Sequence, residues 1–417
     1  MKRRAVLIGG AVLAAGVTGG DPAFASTRKA TVDTRNIAYR AWSGADLGAG
    51  ATAGTTVANG TVVLGEPVGT VDYTDPYGGG TRTYEFGQWT SPVVEPGFGL
   101  TQLIASWNAA TPGGSWLQVE ARGPGTAWYV LGRWAADDTA LHRTSVAGQS
   151  DPNGRVDVDT FVAASGVTLA SWQLRLTLYR PAGSTDSPAV RSLGAVASAL
   201  PTKKPTASAP GPAAGTVLDV PRYSQEIHDG QYPQWDGGGE AWCSPTSTSM
   251  VVAYWGTGPT PADYAWVDPS YADPWVDHAA RNTYDHAYSG CGNWPFNTAH
   301  AARFGGLATF VTRLRSLTEA ELFVQAGIPL VVSVSFRKGE IPGLDYATNG
   351  HLLVIAGFAA DGSPVLNDPY SPDDAAVRKT VGRAEFEAAW LTGSGGTTYV
   401  IHDPGTPLPP APGQANW

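Results

Sequence analysis

The segment 200–216 constrains the fold of this chain more than any other. From Leu200-Pro201-Thr202-Lys203-Lys204-Pro205 to Pro210-Gly211-Pro212 it is rich in Pro, Ala and Thr and has no apolar period, so it reads as an extended linker. A stretch that cannot bury a face divides the 417 residues into two halves, each with enough patterned apolar sequence to fold. Two domains are expected, at 31–199 and 217–403, and cutting the linker is expected to release both. A Pro-rich tail, 404–417, is expected to be unordered.

The first half reads as all-β. Trp172-Gln173-Leu174-Arg175-Leu176-Thr177-Leu178-Tyr179-Arg180 alternates without a fault, and Leu117, Val119 and Ala121 alternate with Gln118, Glu120 and Arg122. Turns such as Gly78-Gly79-Gly80, Pro124-Gly125 and Pro152-Asn153-Gly154 punctuate short strands. The expected architecture is a sandwich of two antiparallel sheets, jelly-roll-like. Trp89, Trp107, Trp116, Trp128 and Trp134 either fill its core or present flat faces to a sugar or cell-wall glycan, and the core is the favoured place.

The second half mixes helix and strand, an α+β pattern. A Gly-rich loop, Gly237-Gly238-Gly239, gives way at Cys243 to a helix with Pro245 in its first turn and Gly256 at its end. Residues 259–294 read as loop, 296–304 as a second helix, and a third carries a capping box, Thr318 with Glu321, before Gly327. The apolar run 328–336 reads as a buried strand. Residues 351–358 and 364–368 read as a hairpin through Asp361-Gly362. A helix at 383–391 and a strand at 397–401 follow.

Two further features bound the function. Met1-Lys2-Arg3-Arg4 leads into a short apolar stretch and then Ala23-Phe24-Ala25, the pattern of an export signal over 1–25, with the Arg pair pointing to twin-arginine export. The mature chain is therefore expected outside the cell, without a membrane span. The formal net charge is -9 and no basic patch stands out, which argues against nucleic acid as a partner.

Thiol-dependent amide hydrolysis needs a nucleophile, an imidazole, a group to orient the ring, and donors for the oxyanion. Cys243 sits where unpaired helix N–H groups and the positive dipole end favour thiolate. His351 begins an apolar strand, and Asp368 closes the next, one hairpin away; Asn367 points to the opposite face. Gln225 is the candidate side-chain oxyanion donor, ahead of Gln231 and Gln234, beside the backbone N–H of Cys243. The competing reading, a Cys243–Cys291 disulfide, needs none of this context, so Cys291 is expected to be a free thiol. The pairs Asp277-His278 and Asp285-His286 match no common metal-ligand spacing and read as exposed loop residues, so no metal or cofactor is expected.

Val220-Pro221-x-Tyr223-x-Gln225, Cys243-x-Pro245-x-Ser247 with Met250 and Tyr254-Trp255-Gly256, Gly327-Ile328-Pro329, Gly350-His351 and Asn367-Asp368-Pro369 together resemble the bacteriocin-processing (double-glycine) peptidase family and its secreted relatives. The resemblance covers about 217–402 and implies a papain-like fold, a Cys243-His351-Asp368 triad and Gln225 as oxyanion donor. Ser244 stands where the family usually has Gly, and the stretch from Gln225 to Cys243 is long. The expected function is a secreted cysteine peptidase acting on peptide or protein. Its competitors are a non-catalytic glycan- or peptide-binding protein and an acyl transferase using the same triad.

Overall fold

The computed structural model describes residues 34–417; the export signal over 1–25 lies outside the described residues. The chain forms a sheet-rich N-terminal part and an α+β C-terminal part.

Among the described residues, the N-terminal part holds an eight-stranded and a six-stranded sheet. In the latter, strand Gln173–Pro181 pairs antiparallel with Thr81–Thr90 on one side and Trp116–Arg122 on the other. Its alternation puts Leu174, Leu176 and Leu178 on one face, fully buried. They meet Leu103, Ala105, Trp107, Leu193, Ala195 and Ala197 of the eight-stranded sheet in one apolar core. Trp89, Trp107, Trp116 and Trp134 are buried. A flat display of all five tryptophans for sugar rings is therefore ruled out. Trp128, half-buried, has the guanidinium groups of Arg122 and Arg175 against its ring, each 4.4 Å from the centroid.

The eight-stranded sheet is buried on its second face as well. Strand Gln102–Ala110 pairs with Ala189–Ala199, and the residues between its core-facing positions, Ile104, Ser106 and Asn108, are also buried. Ile37, Ile104 and Val196 pack into a cluster with Met250, Leu307, Val311, Val331 and Ile401 of the C-terminal part. Asn108 Nδ2 donates to Thr309 O at 2.7 Å, and Thr309 N–H donates to Asn108 Oδ1 at 3.1 Å. In the other direction Phe296 and Ala299 enter the N-terminal core. The two halves are thus packed together through shared apolar contact, each covering part of the other's core.

The C-terminal sheet runs in the order Ala308–Arg313, Thr397–His402, Leu330–Phe336, Thr348–Phe358, Pro364–Asn367, Arg378–Thr380. Helices α1 (Cys243–Tyr254), α2 (Pro274–Thr283) and α3 (Trp294–Ala301) lie before it in the chain; α4 (Leu317–Gln325) and α5 (Arg383–Gly393) are interleaved with its strands. One apolar cluster joins α1 and α3 to Val331, Leu352, Val354 and Tyr399. A second joins α4 and α5 to Val332, Val334, Leu353 and Ile355. The sheet is thus covered on both faces, and its central strands are largely apolar. Gly256, at φ +67°, follows the end of α1 in the left-handed region that favours glycine.

Several local expectations shift. Helix α2 occupies part of the stretch read as loop, and the second expected helix, α3, starts two residues earlier. The cap of α4 is Ser316, whose hydroxyl accepts from Glu319 N at 3.2 Å, not Thr318. Glu321 instead lies buried, pairs with Arg383 at 2.6 Å and accepts from Gly211 N and Ala213 N of the linker. The linker therefore docks along the C-terminal part. The tail is packed too: Asn416 is fully buried, its Nδ2 donates to Arg313 O at 2.8 Å, and Ala415 O accepts from Tyr39 N at 2.9 Å.

Candidate active site

Cys243 opens α1 with no side chain capping the helix, so the first N–H groups stay available around its sulfur. Gly237 and Gly238, at φ +86° and +117°, turn the chain into the helix. A Cβ on Gly239 would stand 2.3 Å from His228 C and 2.5 Å from Gln225 O, so only glycine lets this turn press against the 225–228 segment. Inside α1, Ser247 Oγ donates to Leu352 O at 3.1 Å, which binds the helix to the strand beside His351. Ser244 is buried and hydrogen-bonds Tyr399 OH at 3.0 Å, a partner that glycine would lack.

His351 lies on Thr348–Phe358, paired with Val334. The hairpin register matches Val354 with Asn367, which brings Asp368 diagonally across from His351 on the same face. Asp368 Oδ1 lies 2.8 Å from His351 Nε2, so Nδ1 is the ring nitrogen the carboxylate does not engage, and Cys243 lines the same cavity as the ring. Asn367 faces away: its amide donates to Pro221 O at 2.9 Å and its carbonyl accepts from Arg378.

Asp368 is fully buried. Besides His351 it receives Lys379 Nζ at 2.8 Å, Tyr346 OH at 3.2 Å and Tyr370 N at 3.1 Å. Burial would raise its pKa, but the hydrogen bond and charge of His351 and the charge of Lys379 outweigh that and hold it below the usual carboxylate range. Burial would likewise lower His351. The charge of Cys243 and the hydrogen bond to Asp368 reverse the sign and raise it to about 9. Lys379, Tyr346 and Tyr370 carried no sequence signal, since they sit in a short edge strand and two irregular loops.

Gln225 is buried at 1 % exposure; its N–H donates to Pro369 O at 2.9 Å, next to Asp368, and its Nε2 donates to Glu240 O at 2.6 Å. The long stretch to Cys243 thus folds back on itself, through two 3-10 turns, and returns Gln225 to the nucleophile. Gln231 is taken up by His228 and Ile227 O. Cys243, His351 and Gln225 share a cavity of about 420 Å³, which Gln234 also lines.

Cys291 is a free thiol, as is Cys243. It is buried against Trp242, Val276 and Ala280, and burial pushes its pKa well up. The two Asp-His pairs are not exposed loop residues. Asp277 and His278 are buried on α2, with Asp277 3.3 Å from His228 Nδ1, and Asp285 is fully buried. Among the described residues no group of three or more His, Cys, Asp or Glu could hold a metal ion.

The raised His351 pKa sets a pH dependence. The ring must be protonated to deliver a proton to a leaving amine, so kcat/KM is expected to fall as pH rises through about 9. Cys243, Asp368, Tyr346 and Tyr370 face the ring, and Glu226 acts on it by charge. The apparent value belongs to this coupled set. A pH–rate profile flat to pH 10 would contradict it.

Residues 38–198 match the family model described as the peptidase C39 N-terminal domain, and residues 217–398 match the peptidase C39-like family. Among solved structures, one provisionally assigned as a C39-like peptidase from Bacillus anthracis is 20% identical, covering 45% of this chain and 97% of that chain, with a TM-score of 0.30. A Podospora anserina GH26-CBM35 β-(1,4)-mannanase is 12% identical, covering 52% and 48%, with a TM-score of 0.20. No curated protein matches.

Proposed function

Since the chain belongs to the C39-like cysteine peptidase family, we propose that it is a secreted peptidase that hydrolyses peptide bonds through Cys243, His351 and Asp368. The observation that carries this reading is the His351 ring, 2.8 Å from Asp368 and lining together with Cys243 a cavity large enough for a stretch of peptide. The C-terminal part is read as papain-like and the N-terminal part as a jelly-roll-like sandwich. Export rests on the sequence of residues 1–25.

The thiolate of Cys243 attacks the scissile carbonyl carbon, and the oxyanion takes hydrogen bonds from the Cys243 N–H and the Gln225 amide. The tetrahedral adduct collapses as His351 gives its proton to the leaving nitrogen, breaking the C–N bond and leaving an S-acyl enzyme. Neutral His351 then removes a proton from water, which attacks the thioester carbonyl and releases the acid with Cys243 again as thiolate. Asp368 holds the ring's orientation and its charge throughout.

The test is paired labelling and cleavage. Iodoacetamide is expected to alkylate Cys243 at least roughly tenfold faster than Cys291, because the latter is buried and held as thiol, and a peptide library is expected to be cut. Equal labelling together with an uncut library would reject the reading.

A further inference from the structure

The triad is held by bonds inside the C-terminal part, whereas one wall of its cavity, tied there through Cys291 N–H to Asp236 Oδ2 at 3.0 Å, is also held by the N-terminal part. Five cavity-lining residues, Tyr284, Tyr288, Ser289, Gly292 and Trp294, lie between α2 and the first residue of α3. This segment has almost no regular structure of its own beyond a bridge between Asp285 and Gly290.

The N-terminal part grips it at three points. Ser145 N–H donates to Asp285 Oδ1 at 2.9 Å, His286 N–H donates to Arg143 O at 3.0 Å, and Trp294 N–H donates to Asp159 Oδ2 at 2.8 Å. Asp285 is the centre of the arrangement. Its Oδ1 also accepts from Ala287 N at 3.1 Å and Tyr288 N at 3.2 Å, and its Oδ2 accepts from Asn293 Nδ2 at 2.9 Å. One fully buried carboxylate therefore joins the N-terminal part to both ends of the wall, and its burial is tolerable only while those donors are present.

Arg143 steadies the same contact. Its guanidinium, fully buried, donates to Ala135 O at 3.0 Å and to Arg281 O at 2.7 Å at the end of α2. Arg281 in turn forks onto Asp138 at 2.8 and 3.1 Å. Just beyond the wall, Phe296 and Ala299 anchor in the N-terminal core.

Resting on the peptidase reading above, we propose that the N-terminal part builds the substrate-selecting wall of the cleft, with Asp285 as the positioning residue that fixes it. The N-terminal part then acts on which peptide fits, and leaves the reactivity of Cys243 to the C-terminal part. The substrate is a peptide chain lying against Tyr284, Tyr288 and Trp294, surfaces suited to apolar and aromatic side chains.

The test uses the full chain carrying Asp285→Ala, Asp285→Asn or Asp138→Ala, each checked for a cooperative melt. Four quantities are read: kcat and KM on peptides, the cleavage profile, the iodoacetamide rate at Cys243, and hydrogen exchange across 284–294. For Asp285→Ala, kcat/KM is expected to fall at least tenfold, mostly through KM, with a broader profile and faster exchange in the wall. Alkylation is expected to stay within twofold. Asp285→Asn keeps one acceptor oxygen and is expected to fall between wild type and Ala. Asp138→Ala, which removes the partly buried carboxylate that pairs with Arg281, is expected to raise KM by about threefold, and it decides the question if Asp285→Ala does not fold. Folded variants with unchanged KM, profile and exchange would overturn the proposal. Loss of alkylation in step with hydrolysis would also overturn it, since the segment would then be supporting the triad. A wild-type chain that cuts no peptide rejects the peptidase reading instead, while hydrogen exchange still decides the wall.

Discussion

Cys243→Ala is expected to lower peptide hydrolysis by on the order of 10⁴-fold or more while leaving the melting temperature within a few degrees of wild type. The kinetic loss is large because no other group can form the S-acyl bond. Cys291, the other described thiol, is buried in a separate cluster of Trp242, Val276 and Ala280 and cannot replace it. The stability change is small because Cys243 is only partly buried and starts its helix without acting as its cap. His351→Ala should cost a similar amount, and the double variant little more, because the two act as one unit. Hydrolysis by Cys243→Ala within tenfold of wild type would end the nucleophile assignment.

The second large effect concerns the division of the chain. Residues 200–417 expressed alone are expected to give no soluble, cooperatively melting protein, and a protease cut within 201–205 of the intact chain is expected to leave the two pieces associated. Losing the N-terminal part would strip the cover from the cluster that holds Ile37, Ile104 and Val196, and would leave Phe296 without its pocket. At about 1.5–3 kcal/mol for each such side chain, the loss is on the order of 10 kcal/mol. That is comparable with the whole stability of an ordinary domain. Asn108 and Thr309 would also lose their mutual hydrogen bonds. Size-exclusion chromatography and calorimetry check this, and a compact C-terminal fragment that still cleaves peptides would refute it.

The sequence carried the division of the chain, which the family matches at 38–198 and 217–398 follow, better than the packing across it. Cys243, His351 and Asp368 were readable because each sits at a helix start or strand position whose flanks are patterned, and the Asp361-Gly362 turn sets the hairpin register. Gln225 was readable only as a candidate, since its place depends on a close approach at Gly239 that no local pattern announces. Lys379 and Tyr346 reach Asp368 through tertiary contact alone. The linker left the packing of the halves open for a physical reason. Lack of apolar period shows that a segment has no face to bury, but not whether its neighbours share one. The clue lay elsewhere: Leu103-Ile104-Ala105-Ser106-Trp107-Asn108-Ala109 fails to alternate, as a strand covered on both sides must.

That doubly covered strand limits how such chains can be reassembled in evolution or by engineering. A front half borrowed from a relative would bring a foreign outer face at Ile104, Ser106 and Asn108, and would meet a loop whose Asp285 and Trp294 were fitted to another Ser145 and Asp159. The transferable module is therefore discontinuous: the segment before the linker together with 284–299, inserted between helices of the other half. Grafts that exchange both pieces should inherit the donor's substrate preference, whereas grafts cut at the linker should fail to assemble.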